Sequence, residues 1–119
     1  MDERILKWLY DIKMSIDEID SFFIEEEKDF FKYKSNLMLK RAVERNFEII
    51  GEAVNRIMTR DISFTEKISN AKAIIGLRNQ VIHAYDNVSD ENIWSILTNH
   101  LPKLKSEVHA LIKENDKTT

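Results

Sequence analysis

The run GLRNQVIHAY, residues 76–85, sets Arg78, Asn79, His83 and Tyr85 into a stretch that otherwise has the apolar content of a buried helix. Each of these side chains has its own chemistry. An arginine stays charged and presents a planar fork of donors that matches the oxygens of a phosphate or a carboxylate. A histidine titrates near neutrality and serves as either a proton donor or a proton acceptor. An asparagine both donates and accepts, and a tyrosine carries a hydroxyl on an amphipathic ring. Spacing alone is equally met by structural roles, and on that ground they are the simpler account. Arg78 would be an ion-pair partner, His83 a histidine near a helix C-terminus, where its cation is favoured, and Tyr85 an amphipathic residue at the core's edge.

Helix geometry sharpens the problem. At about 100° per residue, Ile74, Ile75, Val81 and Ile82 mark an apolar face, and Arg78 falls near its middle. Tyr85 lies almost below Arg78, while Asn79 and His83 share a neighbouring, more polar face. Arg78 and His83 are roughly 140° apart around an ideal helix. They meet at one reacting atom only if the helix ends or bends near His83, or if two copies of the helix face each other across a two-fold axis. An arginine inside an apolar stripe also needs an acceptor, because an unpaired buried charge is very costly. Candidates are Glu44, Glu48 and Glu52, stacked four apart on the preceding long helix. Like charges at that spacing repel mildly, so the ladder is expected to have cations from elsewhere lying against it.

The elements that must position these residues are helical. The chain has 119 residues, only two glycines, one proline and no cysteine, and is 43% hydrophobic. So few turn residues suit a few long helices with short connections rather than a sheet. We expect one all-α domain over residues 1–119, an up-down bundle of four to five helices. A first helix is predicted over Asp2–Phe23, with Ile5, Trp8, Leu9, Ile12, Ile16, Ile19 and Phe23 recurring at steps of three and four. The acidic run Glu25–Glu27 reads as a solvated turn or a helix start, followed by Phe30, Phe31 and Tyr33 as caps of the core. The longest helix is predicted over Ser35–Arg60, with Val43, Phe47, Ile50, Val54 and Ile57 as its buried stripe. Gly51, unfavourable in mid-helix, is expected at a close helix crossing. A third helix should run from Thr65 or Glu66 to Tyr85. Ser89 or Asp90 should cap a fourth, with Ile93, Trp94 and Leu97 facing inward. Pro102 either starts a new segment or kinks a continuous one. Leu101, Leu104, Val108, Leu111 and Ile112 continue the stripe, and residues 114–119 read as a frayed tail.

Composition limits the function classes. With 18 basic and 21 acidic residues the formal charge is −3, which argues against non-specific coating of nucleic acid. The lack of cysteine excludes disulfides and thiolate metal sites and fits a cytoplasmic location. His83, His100 and His109 share no ligand spacing, so no metal and no cofactor are expected. The N-terminal run MDERILKWLYDIKMSI mixes charges into its apolar positions, unlike a signal or transit peptide, and no apolar run approaches bilayer length.

Taken together, Arg78 to Tyr85 read R-N-x3-H-x-Y, which resembles the R-x4-H-x-Y signature of the HepT-like ribonuclease toxins of the HEPN superfamily. A second block, RAVERNFEIIGEAVNRI over residues 41–57, resembles the family's long second helix. The spacing between the blocks and the downstream Trp94 also agree, so the resemblance covers nearly the whole chain to Leu111. It implies a HEPN-like fold, a homodimer with its active site in the interface cleft, and metal-independent cleavage of RNA. Arg78 and His83 would be the catalytic pair, with Asn79 supporting them. It further implies a partner encoded alongside, an MntA-like minimal nucleotidyltransferase antitoxin, which transfers AMP onto the motif tyrosine, here Tyr85, and silences the nuclease. Metal-free cleavage that uses the substrate's own 2′-hydroxyl needs a proton acceptor, a proton donor and positive charge, which these residues supply. The acidic chain departs from the basic cleft that RNA binding calls for, and Lys40, Arg41, Lys72 and Arg78 are the candidates for a local patch. The rival reading is a non-catalytic helical binding subunit of a nucleotidyltransferase complex.

Overall fold

Asp2 starts the first helix: its carboxylate accepts hydrogen bonds from the backbone N–H groups of Arg4 (2.8 Å) and Ile5 (3.3 Å), satisfying two donors that an uncapped helix would leave open. The structure, a computed structural model, describes residues 1–24, 28–83 and 89–118, without the side chains of 80–83, 117 and 118. Helix α1 spans Glu3–Ser21, and Ile5, Leu9, Ile12, Ile16 and Ile19 are buried along one face. It stops short of the predicted Phe23, so that Phe22 and Phe23 form a turn packed against the core.

The acidic run Glu25–Glu27, expected as a turn or a helix start, lies outside the described residues, and the aromatic segment after it is helical. Asp29 caps α2, Phe30–Ser35, by accepting from the N–H groups of Phe31 and Lys32. On a helix, positions 30 and 33 share a face and position 31 does not. Tyr33 is therefore fully buried, whereas Phe31 is 78% exposed and does not cap the core as expected. Asn36 ends α2 and caps α3, Leu37–Arg60, through a bond from Leu39 N–H (3.1 Å). The predicted long helix thus begins two residues late, with the expected stripe of Val43, Phe47, Ile50, Val54 and Ile57 buried.

A 3-10 turn, Ile62–Glu66, leads to α4, Ala71–His83. The predicted start at Thr65 or Glu66 is corrected by a distant residue: Glu107 accepts the N–H of Ser69 (3.0 Å), holding that backbone outside a helix. The buried face of α4 carries Ala71, Ile74 and Leu77, and Ile75 is only partly buried. Val81 and Ile82 lie on helical backbone, their side chains outside the described set.

Ser89 caps α5, Asp90–Ser95, as expected. A π-helical turn, Ile96–His100, then joins it without a break to α6, Leu101–Thr118. Pro102 explains the widened turn. It has no N–H, and its ring would clash with the carbonyl four residues back in a regular α-helix; the register shifts so that Leu101 N–H bonds the carbonyl of Ile96. Of the two readings of Pro102, the continuous helix holds. α6 continues through Thr118, so the segment read as a tail carries helical backbone.

Cross-bonds give the directions. Asp2 pairs with Arg60 (2.8 Å) at one end, and Asn46 donates to Glu18 (3.4 Å) towards the other, so α1 and α3 are antiparallel. Asp20 pairs with Lys105 (2.7 Å), while Met1, Asp2 and Ile5 share a cleft with Glu114 and Asn115, so α6 also runs against α1. α4 packs on α3. The buried apolar side chains form one contiguous core from α1 to α6, and the described residues contain no strand. The expected all-α bundle is what is found.

Gly76 gives a stability prediction. A methyl group added there meets nothing within 4 Å, so only the helix cost of glycine changes. Gly76→Ala is expected to stabilise the fold by about 0.5–1 kcal/mol, read as a rise in Tm. A fall in Tm instead would show that this side of α4 is covered by something outside the chain.

Candidate active site

Arg78 stands at the crossing of α3 and α4. Its Cβ and Cγ lie over Gly51, where a side chain would have been. This lets α4 approach closely enough for the guanidinium to reach the polar edge of α3. There Nη2 donates to Glu52 Oε2, while Nη1 donates to Asn79 Oδ1 at 2.7 Å. Glu52 is itself shared, since its Oε1 accepts from Arg56 Nε at 3.2 Å. The side chain of Arg78 is 22% exposed, and its Nε is buried without a hydrogen-bond partner. A guanidinium has five N–H donors, so Arg78 is held in orientation by two bonds with donors left over. The arginine in the apolar stripe does have its carboxylate.

Only one of the three candidate carboxylates fills that role. Glu44 pairs with Arg41 (3.3 Å) and Glu48 with Arg45 (3.2 Å), each three residues away on α3 itself. The ladder is therefore neutralised mostly by its own helix and not by cations from elsewhere, as had been expected. Glu52 is the exception because it follows Gly51, where α4 comes within reach.

The expected basic patch does not assemble around Arg78. Lys40 is engaged with Asp90 at the start of α5 (3.1 Å) and Arg41 with Glu44. Both lie about 17 Å along α3 from Glu52 at 1.5 Å per residue. Lys72 is exposed one to two turns before Arg78 on α4. The cations actually beside the network are Arg56, bonded to Glu52, and Arg45, one helical turn from Glu52's neighbour Glu48 and bonded to it.

Asn79, next to Arg78 in the chain, is also its hydrogen-bond partner. His83 is the last residue of α4, with its side chain outside the described residues, and Tyr85 lies outside them altogether. Trp94, part of the sequence resemblance, is a packing residue. Tyr33 stacks on it at 5.3 Å, and Phe23 and Phe30 meet it at 6.1 and 5.9 Å, joining the turn after α1 to α2 and α5. The Tyr33 hydroxyl is buried without a partner. Burial, with the nearby carboxylates of Glu44 and Asp90, pushes its phenol well above the ordinary range, so it stays protonated. Among the described residues no three His, Asp or Glu side chains are grouped to hold a metal ion, and no helix is long and apolar enough to cross a membrane.

Comparison with known proteins extends the picture. A family model described as Ribonuclease HepT-like matches residues 12–111, a span that contains every residue of the Arg78 network. The chain is similar to "Putative RNase MJ1380" of Methanocaldococcus jannaschii, 38% identical over 114 residues, which are 93% of this chain and 100% of that protein. It is 33% identical over 115 residues to "Putative RNase MJ0125" of the same organism, covering 96% and 97% of the two chains. Over 97 residues it is 34% identical to "Putative RNase TTE0752" of Caldanaerobacter subterraneus, covering 78% and 84%. No solved structure matches it.

Proposed function

We propose, because this chain belongs to the ribonuclease HepT-like family, that it is a metal-independent endoribonuclease and the toxin of a cytoplasmic toxin–antitoxin pair. The observation that carries the reading is the Arg78 guanidinium, fixed by Glu52 and Asn79 with donors remaining, inside the sequence R-N-x3-H-x-Y. In this reading Arg78 binds the scissile phosphate and stabilises the charge that builds on phosphorus, where a preorganised fork acts best. Asn79 holds Nη1 so that the fork faces one way. His83 moves the proton, as base towards the substrate 2′-hydroxyl or as acid towards the departing 5′-oxygen. The 2′-oxygen forms a bond to phosphorus as the bond to the 5′-oxygen breaks, and the proton lost by one is returned to the other.

A homodimer supplies what one straight helix does not. Arg78 and His83 diverge by roughly 140° on α4, and a two-fold axis beside α4 would bring the arginine of one copy towards the histidine of the other. The shape supports this reading: the chain is a slab 46 × 32 × 19 Å, about two helices thick, and α4 has an open side at Gly76.

The test is cleavage of RNA by purified protein in excess chelator. Wild type is expected to cut, and Arg78→Lys, which keeps charge but loses the fork, to fall by about tenfold or more. No cleavage by either protein, together with a stable complex with a nucleotidyltransferase, would favour the non-catalytic binding subunit. Tyr85 is proposed as the AMP acceptor of an MntA-like antitoxin, whose added phosphate and bulk would oppose the RNA backbone. Incubation with that partner and ATP is expected to add one adenylyl group to Tyr85, seen by mass spectrometry. Neutralisation with Tyr85 unmodified would mean simple occlusion.

A further inference from the structure

On the other side of Glu52 from Arg78 lies a groove between α1 and α3. Trp8 and Asp11 line it from α1, and Arg45, Glu48, Glu52 and Arg56 from α3. Ala53, buried, leaves room at its base. Because Glu52 both lines the groove and holds Arg78, whatever occupies the groove lies next to whatever Arg78 binds.

The lining selects the kind of occupant. Two guanidinium groups stand against three carboxylates, so the groove is not a seat for a phosphate, which is anionic and only accepts. A nucleobase is neutral and planar, alternates donors and acceptors along its edge, and stacks on aromatic faces, which is the usual way single-stranded RNA bases are held. Trp8 offers such a face. The carboxylates are only lightly committed. Asp11 Oδ2 is bonded to Lys7 (2.8 Å) and Glu48 Oε2 to Arg45 (3.2 Å), both surface pairs within one helix, which contribute little and are readily exchanged. The other oxygen of each has no partner among the described residues. Glu48 is one turn, about 6 Å, along α3 from Glu52, the residue that holds Arg78.

We propose that this groove is a base-recognition subsite for the nucleotide beside the scissile phosphate, and that the base it takes is guanine. Guanine alone among the four RNA bases presents two adjacent donors, N1–H and the N2 amino group, that match both oxygens of one carboxylate, here Glu48. On its other edge O6 and N7 are adjacent acceptors that match the fork of one arginine, here Arg56. Trp8 stacks on the ring. The proposal rests on the ribonuclease reading for its biological meaning but not for its physical test.

Two measurements separate the two. The first is cleavage, in chelator, of RNA oligonucleotides that differ only in the base flanking the cut. Wild type is expected to prefer guanine over uracil by about tenfold or more, and Glu48→Gln, which keeps the shape but loses one acceptor, to shrink that preference to under about threefold. The second is the NMR shift of the Trp8 indole N–H on adding guanosine or uridine monophosphate to the intact protein. A shift is expected with the guanine nucleotide, weakened in Glu48→Gln. If RNA is cut without base preference and the Trp8 signal ignores both nucleotides, the subsite is refuted while the nuclease stands. If no RNA is cut but the guanine-selective shift is present and lost in Glu48→Gln, the subsite stands and the nuclease reading falls. If neither RNA cleavage nor the shift is seen, the subsite is refuted as well.

Discussion

His83→Ala is expected to lower RNA cleavage by about 10²–10⁴-fold, the usual contribution of a positioned proton-transfer group, with folding and partner binding unchanged. The argument runs from chemistry to place. Cleavage through the 2′-hydroxyl without a metal needs one group to take a proton and one to return it, and within the R-N-x3-H-x-Y segment histidine is the residue type that ordinarily titrates near neutrality. Glu52, the carboxylate that holds Arg78, has both oxygens engaged, one by Arg56 and one by Arg78. Wild type should show a pH dependence of kcat/KM with an inflection near neutrality that the variant lacks. Equal cleavage by wild type and His83→Ala, over the same pH range, would remove His83 from the mechanism. Matched thermal unfolding curves guard against the alternative that the variant is merely unfolded.

Gly51→Ala should be destabilising by about 1–3 kcal/mol, the range for forcing an extra group into a packed crossing, even though alanine is otherwise the better helix former by about 1 kcal/mol. The added Cβ would sit 2.2 Å from Arg78 Cβ, 2.8 Å from its Cγ and 3.3 Å from the carbonyl oxygen of Ile74. The first of these is fixed to the α4 backbone and cannot swing away, so the helices must separate. Separation opens contacts of Ile50, Val54, Ile74 and Leu77, all buried, and draws the guanidinium off Glu52. The variant should therefore lose several degrees of Tm and much of its cleavage together. Gly76→Ala, on the helix face where nothing stands, should move Tm in the opposite direction. If both substitutions stabilised, the α3–α4 crossing would have to be looser than the structure has it.

This pair of glycines shows where sequence reading stops. Both interrupt strong helical patterns, and local propensity treats them alike. That Gly51 lies at a close crossing was readable, because a costly residue in a long apolar stripe calls for a reason. That its contact is Arg78, and that this contact singles out Glu52 from a ladder of three glutamates, was not. Glu44, Glu48 and Glu52 have the same spacing and chemistry, and only the position of α4 distinguishes them. The same holds at the 3-10 turn, where Glu107, distant in sequence, delays α4 to Ala71. The π-helical turn before Pro102 is likewise a compromise between a proline and a core that needs Leu97, Leu101 and Leu104 on one side.

By itself the sequence determined the helical class, the stripes that form the core, the cap at Ser89, and the R-N-x3-H-x-Y segment by which the chain resembles the family. These depend on periodicity and on side-chain chemistry, which are local properties. Only the tertiary structure decided which carboxylate holds Arg78, which arginines stand beside it, and that a groove with an indole face begins at the same glutamate. Such facts depend on the angle and separation at which helices cross, and these follow from the packing of the whole core, which no single segment encodes.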